Sequence, residues 1–385
     1  MKSLSDRRVL VVDDLHANVR LLTSLLQREY QVSSAFDGES ALRSIADSPP
    51  DLVLLDIMMP GLDGYEVLRR LRADPATHEL PVMFLSALED VANKAKGFEL
   101  GANDYLTKPF ELLEVKARVR SLLKARAWSE AVREAMEHEL AIARSIQMGI
   151  LPRDLSPVTR ETGLDVAARL EPAQQVGGDL YLALRTAPDE VFVAVGDVSG
   201  KGIPASIFMA VTVTILRTLA RQGFAPHEIL ARVNEELVEQ NAGDLFVTLV
   251  CARISLESGR VEVASAGHPP PLLVAPGTSP LKPFTTSGLV AGFRGGEAYE
   301  CDVGTLAPGE MLVFFSDGIP EAWSASGEAF GEGRLSELLA TGAGSGAREA
   351  VDAVIEAVHV HTAGTSQSDD ITVLAVRRRP GPQAT

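Results

Sequence analysis

Carboxylates recur at the ends of short apolar runs, and their spacing points to divalent-cation and phosphoryl chemistry. Asp13 and Asp14 follow VLVV (9–12), and Asp56 closes DLVLLD (51–56). Ser86 stands near the end of VMFLSA (82–87), and Lys108-Pro109 ends NDYLTKP (103–109). If these runs are strands of one parallel sheet, their carboxyl ends share an edge and the residues converge there. Three carboxylates at one edge repel each other unless a divalent cation joins them. Hard oxygen ligands with water suit Mg²⁺ or Mn²⁺. Lys108 brings a positive charge for a phosphoryl oxygen, and Ser86 brings a hydroxyl.

A second acidic set lies in the C-terminal half. The segments are VGGDLY (176–181), VGDVSGKGIPA (195–205), FFSDGIPEA (314–322) and QSDDITVLAV (367–376). Each places an Asp beside an apolar run, and glycines next to Asp179, Asp197 and Asp317 let the backbone approach an ion closely. With no His or Cys partners in these segments, hard divalent cations are favoured over zinc. Two such ions roughly 3.5–4 Å apart can hold a water and polarise a phosphate ester. Ser199 and Lys201 in VSGKG look like a fragment of a phosphate loop, but the P-loop spacing is absent, so no nucleotide site is expected. His268 in AGHPPP reads either as a turn-fixing histidine or as an acid at the rim of the site.

The elements that must position these residues differ between the two halves. Over residues 7–125, continuous apolar runs alternate with amphipathic patterns such as 17–29 and 64–73, which predicts a parallel α/β sheet. Residues 110–148 lack Pro and Gly and predict one helix of nearly 40 residues, with an interruption near Trp128 as the alternative. Its apolar positions are Val115, Val119 and Leu122, then Val132, Met136, Leu140 and Ala143. One small domain cannot bury so long a helix. A dimeric coiled coil is the preferred reading, and a single helix packed on its flanking domains is the other. Leu151-Pro152 ends it. Beyond lie strand patterns at 164–170, 190–198, 246–255, 260–267, 271–275, 310–318 and 370–378. Helix patterns at 203–221, 226–241 and 346–361 interrupt them, and ATGAGSGA (340–347) reads as a loop. This predicts an α+β sandwich. The expected domains are 1–125, a helical linker at 126–150, and 151–385.

The first constellation resembles the response-regulator receiver family. The acidic pair, DIMMPGLDGYEVL (56–68), Ser86-Ala87 and Lys108-Pro109 occur in the family's order. The resemblance implies a doubly wound five-stranded parallel sheet with Asp56 as phosphoacceptor. It implies Mg²⁺ held by Asp13, Asp14, Asp56 and the Met58 carbonyl, with Ser86 and Lys108 sensing the phosphoryl group. Tyr105 is then the aromatic switch, and the peptide before Pro109 is expected to be cis.

The second half resembles the PPM family of metal-dependent serine/threonine phosphatases, in its SpoIIE-like branch. ELAIARSIQMGILP (139–152), ASAGHPPPLLV (264–274) and GEAFGEGRL (327–335) support the four acidic segments. The resemblance implies a β-sandwich flanked by helices and two Mn²⁺ or Mg²⁺ ions. Asp179 and Asp197 hold the first ion, with Asp197 bridging and the Val198 carbonyl assisting. Asp317 and Asp369 hold the second, and adjacent Asp370 is the alternative to Asp369. The family usually reads GGD-aromatic-aromatic-Asp, whereas Leu182 fills the last acidic position here. The partners implied are a cognate histidine kinase and a phosphorylated STAS-type anti-anti-sigma protein. A phosphatase-like adaptor that binds a sigma-factor regulator is the alternative function.

Composition sets further bounds. A chain of 385 residues is too long for one core. With 46% hydrophobic and 23% charged residues it has the composition of a soluble globular protein. The net charge of -16 argues against nucleic-acid binding, which needs basic surface. Cys251 and Cys301 read as buried thiols in a reducing compartment. No signal peptide or membrane span is expected, and the expected location is cytoplasmic.

Overall fold

The computed structural model describes residues 4–86, 91–240, 245–275, 282–285, 287–342 and 346–380. Ala87 and residues 343–345 of the expected loop lie outside them. The chain divides into two compact units, Met1–His138 and Glu139–Thr385.

In the first unit β1 (Arg8–Val12), β2 (Gln31–Ala35), β3 (Leu52–Asp56), β4 (Val82–Ser86) and β5 (Asp104–Thr107) form one parallel sheet. The order is β2-β1-β3-β4-β5. Between them lie α1 (His16–Leu26), α2 (Gly38–Asp47), α3 (Gly64–Ala73) and α4 (Val91–Glu99). Successive side chains of a strand point to opposite faces, and helices cover both faces, so the central strands must be apolar throughout. Leu10, Val53 and Phe84 pack with Ile45, Val67 and Leu71, while Val9, Leu52 and Met83 pack with Val19, Leu22 and Val119. The strand missing from the sequence reading, β2, is an edge strand of QVSSA that buries only Ala35 among its residues. Asp37 and Asp63 cap α2 and α3 by accepting from Ser40 N (2.7 Å) and Glu66 N (2.8 Å).

The helix α5 (Leu112–Ile150) is 39 residues long and passes Trp128 without the interruption considered above. Val115, Val119 and Leu123 pack on the sheet, with Leu123 fully buried where the spacing had favoured Leu122. Two turns further, Glu130 Oε2 meets Arg7 Nη1 at 2.7 Å. The same Arg7 nitrogen donates to Asp51 Oδ1 at 2.9 Å, and Arg7 is 1% exposed. Val132, Met136, Ile142 and Ile146 are exposed.

The second unit continues with α6 (Ser156–Thr162), β6 (Leu164–Glu171), β7 (Leu180–Ala187), β8 (Glu190–Val198), α7 (Ile203–Arg221) and α8 (Pro226–Gln240). Then come β9 (Val247–Ser255), β10 (Arg260–Ala266), β11 (Leu272–Val274), β12 (Lys282–Pro283), β13 (Asp302–Thr305) and β14 (Met311–Phe315). The last elements are α9 (Gly331–Thr341), α10 (Ala347–His361) and β15 (Ile371–Arg378). Two antiparallel sheets, β13-β10-β9-β8-β7 and β12-β11-β14-β15-β6, share one core that includes Val193, Leu249, Phe314 and Leu374. Helices α7 and α8 cover the first sheet, and α9 and α10 cover the second. The strand β7 escaped the sequence reading because polar and small residues occupy its second half, while β13 and α6 are short and α9 opens on Gly331 and Gly333.

By length and composition alone, one helix among the described residues is apolar enough to cross a membrane. The helix α7 spans 19 residues at a mean hydropathy of 1.7. Its apolarity has a packing reason: Met209, Val213 and Leu216 are fully buried where α7 covers the first sheet.

Candidate functional site

At the carboxyl edge of the first sheet, Asp13, Asp14 and Asp56 bring ligand oxygens within 4.8 Å of one another. Lys108, just after β5, reaches them with Nζ 2.7 Å from Asp13 Oδ2 and 2.8 Å from Asp56 Oδ2. Burial, helped by the charge of Asp13, holds the Asp56 carboxyl above its ordinary range despite Lys108. Burial works against the ammonium of Lys108, but the two carboxylates outweigh it and raise its pKa. Ser86 ends β4 and its carbonyl accepts from Lys108 N at 2.7 Å. The Lys108-Pro109 peptide is cis, as expected. Met58 N lies 3.4 Å from Asp56 Oδ1, and its side chain stands exposed. Tyr105 is buried, with ring centroids 5.3 Å from Phe84 and 5.4 Å from Phe98. Burial and then a bond with Tyr65 raise its phenol. Sequence reasoning missed Asn18, whose Nδ2 donates to both Asp13 oxygens at 3.1 and 2.9 Å and so aims that carboxylate.

In the second unit, acids from four segments converge at one end of the sandwich. Asp179 stands immediately before β7, Asp197 is the penultimate residue of β8, Asp317 follows β14, and Asp369-Asp370 precedes β15. Burial, then repulsion from Asp317 and Asp369, pushes the Asp197 carboxyl up to about 7. Burial, then Asp197 and Asp370, raise Asp179 well above its usual range. Asp317 is raised by burial, Glu321 and Asp369. Asp179 Oδ2 is buried and has no hydrogen-bond partner. An orphaned buried carboxylate oxygen among mutually repelling acids, with oxygen donors only, is what hard divalent cations relieve. The residues therefore fit such ions. Among the described residues, a three-acid cluster as tight as the one in the first unit does not recur.

The adjacent acids are not equivalent. Asp370 is 6% exposed, and its Oδ1 accepts from Ala173 N at 2.8 Å. Its Oδ2 accepts from Gly178 N (2.8 Å) and Asp179 N (3.2 Å). Asp369 leaves 47% of its side chain exposed and pairs with Lys201 at 3.6 Å. Gly177 is a glycine for lack of space: a Cβ there would fall 1.9 Å from Asp370 Oδ2. Gln147 in α5, a second residue the sequence reading passed over, grips that loop. Its Nε2 donates to Gly177 O at 2.6 Å and its Oε1 accepts from Gly177 N at 3.3 Å.

The family described as Response regulator receiver domain matches residues 9–120, and that described as Stage II sporulation protein E (SpoIIE) matches residues 187–379. The chain belongs to the SpoIIE family and carries a response-regulator receiver domain. It is 47% identical over 128 residues to the response regulator PleD of Caulobacter vibrioides, covering 33% of this chain and 28% of that protein. It is 38% identical over 169 residues to the alkaline phosphatase synthesis transcriptional regulatory protein PhoP of Bacillus subtilis, covering 43% and 68%. The SiaA-PP2C domain of Pseudomonas aeruginosa shares the fold at a TM-score of 0.57 and 23% identity, covering 64% of this chain and 98% of that one.

Two features of the SpoIIE-type domain bear on its family pattern. Leu182 is 1% exposed; it lies across from Ala194, which lies across from Cys251, and Cys251 touches Pro226 of α8, so Leu182 is on the helix-covered face and outside the carboxylate cluster. His268 is a structural bridge. It is 5% exposed, Nε2 donates to Phe315 O at 3.1 Å, and Nδ1 accepts from Thr248 Oγ1 at 2.8 Å, tying β14 to β9.

Proposed function

We propose that phosphorylation of Asp56 controls a metal-dependent phosphoserine/phosphothreonine protein phosphatase in the C-terminal domain. The observation that carries the enzymatic reading is the acidic cluster with its orphaned Asp179 oxygen. Asp179, Asp197 with the Val198 carbonyl, Asp317 and Asp369 would hold two Mn²⁺ or Mg²⁺ ions. Asp370 would hold the loop that carries Asp179. Bound cations would offset the repulsion among these acids and polarise a phosphate ester and a water. The residues themselves supply a fixed cleft: three backbone N–H groups lock Asp370, and short strand ends aim the other acids.

In the receiver, Asp13, Asp14 and the Met58 carbonyl would hold Mg²⁺ beside Asp56. The Asp56 carboxylate is the nucleophile toward a phosphodonor supplied by a cognate histidine kinase. The acyl phosphate draws Lys108 and Ser86 toward its oxygens, and Tyr105 follows. The grip of Gln147 on Gly177 supports a route by which a shift of α5 reaches the metal cleft. The exposed Val132, Met136, Ile142 and Ile146 support a homodimer through this helix. The substrate class we favour is a phosphorylated STAS-type anti-anti-sigma protein in the cytoplasm, with no part for nucleic acid or membrane.

The test is hydrolysis of a phosphoserine peptide and of phosphorylated STAS proteins with Mn²⁺. Asp197→Ala should abolish it. If the unmodified protein is inactive yet binds a STAS protein, the adaptor reading replaces the enzyme. Equal rates for the unmodified chain, the beryllofluoride-treated chain and Asp56→Ala would remove the coupling.

A further inference from the structure

Lys201 has no role in the acidic cluster as described so far, yet the fold aims it there. Its loop is pinned to the start of β9: Ser199 N donates to Phe246 O at 2.8 Å, and Ser199 Oγ accepts from Phe246 N at 2.9 Å. Gly200 and Gly202 flank the lysine with φ of 84° and 76°, a region that favours glycine. Through those two turns the side chain crosses to the segment before β15. Its Nζ donates to Ser368 O at 2.6 Å and lies 3.6 Å from Asp369 Oδ1, with half of the side chain exposed.

The surroundings are otherwise acidic. The charges that raise Asp197 and Asp317 come from Asp317, Asp369, Asp370 and Glu321. Among the described residues, Lys201 is the one cationic side chain paired with any acid of the cluster. A phosphate monoester brings about two more negative charges into this cleft. A flexible stem ending in a compact ammonium with three donors can leave an exposed carboxylate for a phosphoryl oxygen at little cost, because an exposed ion pair is weak.

We propose that Lys201 is a phosphoryl-binding residue. Its ammonium pairs with Asp369 and Ser368 in the free protein, and turns to a non-bridging oxygen of the substrate phosphoryl group and of inorganic phosphate. This deepens the phosphatase reading and rests on it for the substrate, whereas anion binding can be measured without turnover.

The experiment is calorimetry on the full chain with two titrants, Mn²⁺ alone and inorganic phosphate added to the Mn²⁺-loaded protein. Lys201→Met should weaken phosphate binding about tenfold or more, the size of a charge-assisted hydrogen bond. The same variant should bind Mn²⁺ as tightly as the parent or more tightly, since a repelling charge is gone. Lys201→Arg should recover most of the phosphate affinity. Unchanged phosphate binding in Lys201→Met overturns the proposal. A parallel fall in Mn²⁺ and phosphate affinity also overturns it, because the lysine would then only prop the Asp369 loop. Phosphate binding that depends on Lys201 in a protein inactive on phosphoserine peptides would sink the phosphatase reading and leave this inference standing.

Discussion

Replacing Asp369 and Asp370 one at a time with alanine should separate metal binding from stability. Asp370 is buried and accepts three backbone N–H bonds. Its removal strands the buried amides of Gly178 and Asp179, while the half-buried amide of Ala173 can turn to water. Each stranded donor costs roughly 1–3 kcal/mol. Losing one negative charge beside Asp179 returns part of this, leaving a net cost of about 3 kcal/mol. For a domain of this size that lowers Tm by roughly 6–12 °C. Asp369 is 47% exposed, and its pairing with Lys201 is a surface contact. Asp369→Ala should therefore shift stability by no more than about 0.5 kcal/mol in EDTA. Adding Mn²⁺ reverses the contrast. Asp370→Ala should keep most of the metal-induced rise in Tm, and Asp369→Ala should lose most of it. Differential scanning calorimetry of the full chain reads both effects, with the receiver transition as the internal control. The reasoning is refuted if Asp370→Ala melts normally in EDTA yet no longer responds to Mn²⁺.

Gly177→Ala should reproduce the instability of Asp370→Ala, because its Cβ would fall 1.9 Å from the Asp370 carboxylate; an unaltered melt would mean the loop has room to move. Burial lowers the His268 pKa to about 4, against about 6.5 when unfolded. The unfolded chain thus binds more protons between those values, so this contribution is complete above pH ~6.5 and fades as pH falls toward ~4. Its size is about 3 kcal/mol, and the difference in denaturation midpoint between parent and His268→Gln should narrow across that window. Arg7→Met should destabilise the receiver by about 3 kcal/mol, since buried Asp51 loses its closest cation and keeps only Arg126, at 4.0 Å. Hydrogen exchange should quicken in α5 around Glu130 in the same variant, and unchanged protection there would show that the Arg7 contact does not hold the helix.

Much of the chain was legible because its chemistry is local. VLVV and LVLLD can only be strands buried on both faces, and Asp13, Asp14 and Asp56 at their ends must then share an edge. The long helix was legible for the same reason: residues 112–148 offer no glycine or proline to stop it. The strand QVSSA was hidden because an edge strand need not be apolar. Nothing in the local sequence marks Arg7, yet the fold buries it between Asp51 and Glu130, residues 44 and 123 positions away.

The sequence by itself determined which residue types are present and which elements they end: two acidic sets, Lys108 beside the first, and the strands that carry them. Tertiary structure alone decided between neighbours. Asp369 and Asp370 are the same residue type one position apart, and along an extended chain adjacent side chains point opposite ways. Only the approach of the 173–179 loop, whose amides donate to it, fixes Asp370, while Asp369 stays half exposed beside Lys201. Lys201 follows the same logic. Its spacing matches no phosphate loop, and its nearness to Asp369 exists only because Ser199 is pinned to Phe246 and two glycines turn the chain toward it.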